Sequence, residues 1–257
     1  MVLMQLHRAI HEPGKRKKMC SLEKRGNVWI LTLAGDDAQN RLNPTLIDYL
    51  ASALSRLASN ATPGSVLLTT AHGKFFSNGF DLAWARSASS PAAAYDRLQS
   101  LVASLRPIIA ALLSLPMPTI AAVNGHASAA GFMLAISHDY VLMRGDRGVL
   151  YMPEVDIGLP LPDYFVAVMR SKIRSPAVLR DLGLGGAKMT AAEAVKVGIV
   201  ESAHDSEEST VEAAMRLGEQ LARKKWVGVV YAEIRKSLYP IACDALGLTQ
   251  KAIVSKI

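Results

Sequence analysis

Glu154 is the first candidate for an acid or base. It follows a short β-rich run, Val149 to Tyr151, and apolar residues flank it in the stretch Leu-Tyr-Met-Pro-Glu-Val. An apolar setting removes water from a carboxylate and raises its pKa toward the range that suits proton transfer at neutral pH. The same pattern also fits an exposed loop glutamate. Asp156 and Asp163 lie nearby and compete for the role.

A strand that leads into a turn of small residues forms a second candidate, a site for a negatively charged atom. The predicted strand, 118–124, precedes Gly-His-Ala-Ser-Ala-Ala-Gly, and the apolar stretch 132–137 then predicts a buried helix. Small side chains at Ala129, Ala130 and Gly131 let a ligand approach the backbone, and a helix N-terminus favours negative charge. Close packing of strand on helix explains the same residues. Neither a dinucleotide-binding nor a phosphate-binding glycine pattern is present, so NAD and ATP are not indicated.

A third candidate is the turn Ser-Asn-Gly-Phe-Asp-Leu at residues 77–82. Gly79 permits a sharp turn that presents the N–H of Phe80 into a cleft. The alternative is a tight turn in which Asp81 caps the following helix. The segment alone does not decide between them.

The elements that must position these segments alternate between strands and helices, which predicts an α/β fold with mostly parallel strands. Helical periodicity begins at Asn43-Pro44, and a Ser/Ala/Pro-rich loop is predicted over 87–94. From Asp163 the pattern is helical, and the segment 208–254 is predicted to be wholly helical. Strands are predicted at 28–33, 65–70, 118–124, 140–143 and 149–151.

Composition predicts one main globular domain inside the cell. Half of the 257 residues are apolar and 20% are charged. Apolar runs are shorter than the roughly 18 residues of a membrane span, and the basic segment 1–18, predicted to be a flexible leader, lacks a secretory signal pattern. Cys20 and Cys243 are predicted to be free thiols. The net charge of +7 suits a polyanionic small ligand and is weak support for nucleic acid.

Taken together and in this order, the three segments resemble the crotonase (enoyl-CoA hydratase/isomerase) superfamily, over nearly the whole chain from about Cys20. The resemblance implies a spiral of ββα units over 19–200 and a C-terminal helical region, 201–257, that forms trimers or dimers of trimers. It implies an acyl-CoA substrate with no metal or redox cofactor, and we expect neither nucleic acid nor membrane as a partner.

The resemblance also implies roles for individual residues. The backbone N–H groups of Phe80 and Ala130 would form an oxyanion hole for the thioester oxygen, and Glu154 would be catalytic. Ala129-Ala130-Gly131 replaces the Gly-Gly-Gly of many members, which a backbone donor tolerates. The residues implied in substrate binding are Ser77, Asn78, Gly79, Asp81, Leu82, Gly131 and Met133.

Met133 decides which activity is expected. Hydratases of the family carry a glutamate at this position and another at the position of Glu154, whereas a thioether neither activates nor protonates water. One carboxylate suffices to move a double bond, so the expected activity is Δ3-Δ2-enoyl-CoA isomerisation. A hydratase that recruits Asp163 is the nearest alternative. A non-catalytic acyl-CoA-binding or RNA-binding relative that uses residues 1–18 is another.

Two further segments look like the plant monofunctional Δ3-Δ2-enoyl-CoA isomerases, namely 75–84 and 137–141. The final residues, Ser255-Lys256-Ile257, differ by one residue from the S-K-L peroxisomal address, so a peroxisomal location is expected. Met19 could serve as an alternative start.

Overall fold

A computed structural model describes residues 19–35 and 38–250 of the chain. The predicted leader, 1–18, and the predicted address, 255–257, lie outside the described residues. The strands are Cys20–Arg25 (β1), Val28–Leu33 (β2), Val66–Ala71 (β3), Phe75–Ser77 (β4), Thr119–Val123 (β5), His126–Ser128 (β6), Tyr140–Arg144 (β7), Val149–Tyr151 (β8), Met189–Thr190 (β9) and Ser202–His204 (β10). The helices are Pro44–Ser59 (α1), Leu82–Arg86 (α2), Pro91–Ser114 (α3), Ala130–Ile136 (α4), Glu154–Ile157 (α5), Asp163–Lys172 (α6), Pro176–Gly183 (α7), Ala191–Lys196 (α8), Glu207–Ala222 (α9), Gly228–Leu238 (α10) and Pro240–Ala245 (α11).

The larger sheet has six strands in the order β1-β2-β3-β5-β7-β10. β1 and β2 form an antiparallel hairpin, and every other pair in this sheet is parallel. Parallel neighbours need a crossover connection, which helices and the smaller sheet supply here. The predicted α/β class with mostly parallel pairing is confirmed.

The smaller sheet has the strand order β4-β6-β8-β9, and together with the larger sheet it forms a repeated ββα unit. Three times in succession, one strand joins the large sheet, the next joins the small sheet, and a helix follows. The three units begin at β3, β5 and β7. This repetition is the expected spiral of ββα units. Its consequence is that the ends of β4, β6 and β8, which precede the three candidate segments, lie side by side.

Two apolar layers hold the large sheet in place. The main core contains α1, α3, α4 and α6 against one face, and α9 covers the other face through small residues such as Ala213 and Ala214. Residues after 200 therefore take part in the same layered core, because β10 pairs with β7 and α9 packs on the sheet. The assignment of 201–257 to subunit assembly remains a prediction.

Two predictions about the helices are wrong. The predicted loop over 87–94 includes the first turn of α3, because the Ser90 side chain accepts from the N–H of Ala93 and Pro91 suits the first helical position. The segment after Glu208 is not wholly helical: α9, α10 and α11 are separate, with breaks at 223–227 and 239, and 246–250 is not helical. The helical spacing of apolar residues continues across these breaks, so the sequence pattern does not reveal them.

Both cysteines are buried and free, as predicted. Within the described ranges, no helix is long and apolar enough to cross a membrane. Among the same residues there is no group of three or more His, Cys, Asp or Glu side chains that could hold a metal ion.

Candidate active site

A cavity of about 380 Å³ opens between α3, the turn before α2 and the segment that joins α5 to α6. Of the predicted site residues, Phe80 and Glu154 lie on its wall, together with the competitor Asp163. The other lining residues are Tyr95, Leu98, Gln99, Val102, Ala103, Arg106, Leu159, Pro160, Leu161, Pro162 and Phe165. The mainly apolar wall suits a hydrocarbon group, and the carboxylate beside it suits proton transfer.

Glu154 begins the short helix α5 and is only 6% exposed. Its Oε2 atom is buried without a hydrogen-bond partner. Burial raises the pKa of Glu154 to about 7, because the charged form loses hydration and no cation compensates for that loss. The sequence-based expectation of a desolvated carboxylate is met, and such a group can both accept and return a proton near neutral pH.

The hydrogen bonds of the residues on either side of Phe80 set the direction of its backbone N–H. The Gly79 carbonyl accepts from Leu42 N–H at 2.8 Å, and the Asp81 N–H donates to the Leu42 carbonyl at 3.1 Å. Since successive residues of an extended segment point in opposite directions, the Phe80 N–H faces away from Leu42. No residue of the described chain accepts a hydrogen bond from it.

The N–H of Ala130 is free for a different reason. Ala130 is the first residue of α4, and the first N–H groups of a helix have no partner within it. Ala129, just before it, has φ 52° and ψ −126°, a strained conformation for a residue with a side chain. The Ala129 N–H donates to the Tyr151 carbonyl at 3.0 Å, which ties this turn to the strand that leads to Glu154.

Two glycines bring the Phe80 and Ala130 segments together. Gly79 has φ +73°, and a Cβ placed on it would lie 2.9 Å from the Ala129 Cβ and 3.4 Å from the Ala130 nitrogen. A Cβ on Gly131 would lie 2.2 Å from the Ser77 carbonyl oxygen, so only glycine permits this contact. Close packing and free N–H groups, which the sequence presented as alternatives, therefore coexist.

The remaining predicted substrate-binding residues do not line the cavity. Ser77 and Met133 are fully buried, and the Ser77 hydroxyl donates to the Asn40 carbonyl at 2.8 Å. The Asn78 amide donates to the Gln39 side chain at 2.7 Å. Asp81 accepts from the Trp84 N–H at 3.0 Å and caps α2, the helix that Leu82 begins. These residues shape the turn around Phe80, and a direct contact with substrate remains a prediction for them.

The two competing aspartates have other surroundings. Asp156 is exposed and does not line the cavity. Asp163 does line it, but the Asp163 Oδ1 lies 2.6 Å from the Arg106 guanidinium and also accepts from the N–H of Tyr164. Glu154 is therefore the one unpaired carboxylate on the cavity wall.

Comparison with known proteins identifies the family to which the chain is similar. The family model described as enoyl-CoA hydratase/isomerase matches residues 23–238. The chain belongs to the enoyl-CoA hydratase/isomerase family. It is 58% identical to the Arabidopsis thaliana protein named enoyl-CoA delta isomerase 2, peroxisomal, over 92% of this chain and 99% of that protein. It is 55% identical to enoyl-CoA delta isomerase 1, peroxisomal, of the same plant, over 86% of this chain and 89% of that protein.

Solved structures of the enoyl-CoA hydratase/isomerase family share the fold. A probable enoyl-CoA hydratase from Mycobacterium tuberculosis superimposes with a TM-score of 0.79 at 20% identity, covering 89% of this chain and 92% of that one. A family member from a Pseudomonas species gives 0.78 at 23% identity, covering 89% of this chain and 94% of that one.

The sequence did not reveal the rest of the cavity wall beside Glu154. Phe165 stacks against Phe80 with ring centroids 6.2 Å apart, and α3 supplies six lining residues from Tyr95 to Arg106. The α3 residues recur every three or four positions, a signal visible in the sequence. That periodicity marks a helix face without telling whether the face meets core or cavity.

Proposed function

We propose that the protein is a Δ3-Δ2-enoyl-CoA isomerase that moves the double bond of a 3-enoyl-CoA into conjugation with the thioester. The observation that carries the proposal is the single unpaired, desolvated carboxylate, Glu154, on the wall of a mainly apolar cavity. The plant relatives, at 55–59% identity, are named enoyl-CoA delta isomerases, which supports the proposal.

The first step is removal of a proton from C2 of the substrate. The thioester oxygen accepts hydrogen bonds from the N–H groups of Phe80 and Ala130, which acidifies the C2 protons and stabilises the negative charge of the dienolate. Preorganised donors of this kind act strongly where water is excluded, and loss of one typically costs about 3 kcal/mol of barrier lowering. The Glu154 carboxylate takes the proton.

The second step returns that proton to C4. Protonated Glu154 delivers it, the double bond forms between C2 and C3, and the carboxylate is regenerated, so atoms and charge balance. A pKa of about 7 suits both halves of the cycle, because neither protonation state is strongly favoured near neutral pH. All protons are handled by one side chain.

Hydration would require a second group to position and deprotonate water. Met133, which stands where hydratases of the family carry a glutamate, is fully buried in the core. Asp163 is already paired with Arg106. These two observations favour isomerisation over hydration.

The test is to incubate the protein with a 3-enoyl-CoA and, separately, with a 2-enoyl-CoA, and to separate the products chromatographically. We expect the first to give trans-2-enoyl-CoA and the second to gain no water. Appearance of 3-hydroxyacyl-CoA from the second would establish a hydratase and assign the second acid to another group, with Asp163 first. No change in either substrate would favour a non-catalytic acyl-CoA-binding protein.

We also propose a homotrimer, or a dimer of such trimers, assembled through the C-terminal helices. The support is an apolar surface on α10 and its flanks, where Val230, Ile234 and Leu238 recur at four-residue spacing and stay 38%, 55% and 67% exposed. Exposed apolar patches rimmed by polar residues mark contact surfaces. A second copy of the chain is the occupant we propose.

A peroxisomal location is proposed on the names of two plant relatives. Ser255-Lys256-Ile257, which lies outside the described residues, is the candidate address. A fluorescent protein fused to the N-terminus should enter peroxisomes with this tripeptide and remain outside without it. Import that survives the deletion would refute the tripeptide as the address.

A further inference from the structure

The cavity beside Glu154 has one charged edge on an otherwise mainly apolar wall. There Arg106 Nη2 lies 2.6 Å from Asp163 Oδ1. The two side chains are 40% and 67% exposed, so the ion pair lies at the rim, where the cavity meets solvent. Among the described residues that line the cavity, there is no other ion pair.

This ion pair is held in position from several sides. Arg106 Nη1 donates to the Ala245 carbonyl at 2.5 Å, and the guanidinium carbon lies 4.9 Å from the centre of the Tyr164 ring. Asp163 accepts from the Tyr164 N–H at 2.8 Å, and the Tyr164 hydroxyl donates to the Val102 carbonyl at 2.9 Å. Because the contacts join α3, α6 and α11, the pair cannot swing aside without breaking several of them.

The ion pair and Glu154 occupy separate parts of the wall. Glu154 is 6% exposed and lies inside the cavity, whereas the Arg106 and Asp163 side chains are 40% and 67% exposed and lie at its rim. Along α3, the lining residues that precede Arg106 begin at Tyr95, and at 1.5 Å per residue this face extends for about 16 Å. Between these two ends the α3 lining is Leu98, Gln99, Val102 and Ala103, so a mainly apolar track leads along the cavity to the charged rim.

We propose that the Arg106–Asp163 ion pair sets the acyl-chain length beyond which this protein gains no further affinity. The inference rests on the proposed function, since it takes an acyl-CoA as the ligand. Each methylene that lies on the apolar wall gains binding free energy from leaving water. A chain that reaches the ion pair must either strip water from charged groups or continue into solvent, and neither adds affinity.

Binding of saturated acyl-CoAs tests this proposal without requiring turnover. Dissociation constants of hexanoyl-, decanoyl- and tetradecanoyl-CoA are measured by calorimetry for the wild type and for Arg106→Met, which replaces the cation with an apolar side chain of similar reach. We expect affinity to level off within this series in the wild type. In Arg106→Met, the tetradecanoyl-to-decanoyl affinity ratio should rise by about fourfold or more, the effect of one additional buried methylene.

Arg180→Met is the matched control, because Arg180 forms an exposed ion pair with Asp181 away from the cavity. It should leave the ratio at the wild-type value. If Arg106→Met folds poorly, the double variant Arg106→Met/Asp163→Asn removes the unpaired carboxylate and keeps an acceptor for the Tyr164 N–H. It should raise the ratio as well.

An unchanged ratio in both Arg106 variants would overturn the proposal. So would an equal loss of affinity for all three esters and for free CoA, which would assign Arg106 to the CoA moiety. Failure of the proposed isomerase function is a separate result. If the protein shows no turnover but its affinity still levels off in the wild type and no longer does so in Arg106→Met, the length limit stands and only the proposed reaction is refuted.

Discussion

At the scale of single residues, Glu154 links stability to the proposed chemistry. Its carboxylate is buried among apolar groups with one oxygen unpartnered, which weakens the folded state whenever the group is charged. The buried charge therefore lowers the free energy of unfolding, while the same desolvation makes the carboxylate a better base. This effect on the free energy of unfolding can be measured without any assay of activity.

Glu154→Gln should stabilise the protein at high pH and not at low pH. The pKa of Glu154 is about 7 in the folded protein and 4.5 for an ordinary glutamate, so the stability from the protonated form is fully present below pH 4.5 and is lost as the pH rises through 7. Chemical denaturation at pH 8 should show Glu154→Gln more stable than the wild type by roughly 2–3 kcal/mol, with near equality at pH 4. Asp156→Asn, an exposed change in the same helix, should show no such pH-dependent gain. Equal stability of Glu154→Gln and wild type at pH 8 would contradict the burial of a charge.

Ala129 is a second residue at which the site costs stability. Its φ of 52° and ψ of −126° suit glycine, so Ala129→Gly should relieve about 1–3 kcal/mol of strain against about 0.5–1 kcal/mol of added chain entropy. We expect a net gain of about 1 kcal/mol in the free energy of unfolding. Ala130→Gly, one residue later at a helical position, should lose about 0.5–1 kcal/mol instead. A loss of stability in Ala129→Gly as well would show that the alanine conformation carries no strain.

At the scale of elements, β-rich runs predicted four strands of the large sheet, β2, β3, β5 and β7, and helical periodicity predicted α1. Of the three-residue strands in the described part of the chain, β8 was predicted because Val and Tyr favour strands, whereas β4, β6 and β10 were not, because three residues carry no periodicity. The roles of Glu154 and of the Phe80 N–H were predicted from the resemblance of the three segments taken together, because each segment alone also fits an exposed glutamate or a helix-capping turn. The Arg106–Asp163 pair was not, since its members are 57 residues apart and meet only through the fold.

Arg235 shows how one long-range contact anchors an element that borders the cavity. From α10 it donates to both carboxylate oxygens of Asp139 at 2.6 Å, and to the Leu115 and Met117 carbonyls just beyond the end of α3. It is 3% exposed. Its guanidinium therefore binds carbonyl groups just beyond the C-terminal end of α3, where regular helical hydrogen bonding has stopped.

Arg235→Ala should destabilise the protein by about 3–5 kcal/mol, because it leaves the Asp139 charge buried without its partner. The measurement is the free energy of unfolding in urea. Arg216→Ala, which removes an exposed pair with Glu212 on α9, should cost no more than about 1 kcal/mol. Comparable losses in the two variants would mean that the buried network contributes nothing beyond a surface ion pair.

At the scale of the whole molecule, the apolar surface of α10 predicts self-association. Ile234→Glu/Leu238→Glu places two charges on that surface and should convert the proposed trimer into monomers, as measured by light scattering after size exclusion. Tyr49→Glu, a comparable change at an exposed position on α1, should leave the assembly intact. A wild-type protein that is monomeric at micromolar concentration would refute the proposed assembly.

The central claim is that one carboxylate carries both proton transfers, and the most direct measurement is isomerase turnover of Glu154→Gln with a 3-enoyl-CoA. Loss of a positioned acid–base group typically lowers the rate by about 10²–10⁴-fold, so we predict a fall of at least that order. Acyl-CoA binding should persist, because the amide keeps the shape of the side chain, and Asp156→Asn should retain wild-type turnover. Turnover of Glu154→Gln near the wild-type rate would contradict the account and move the proton transfer to another group on the cavity wall.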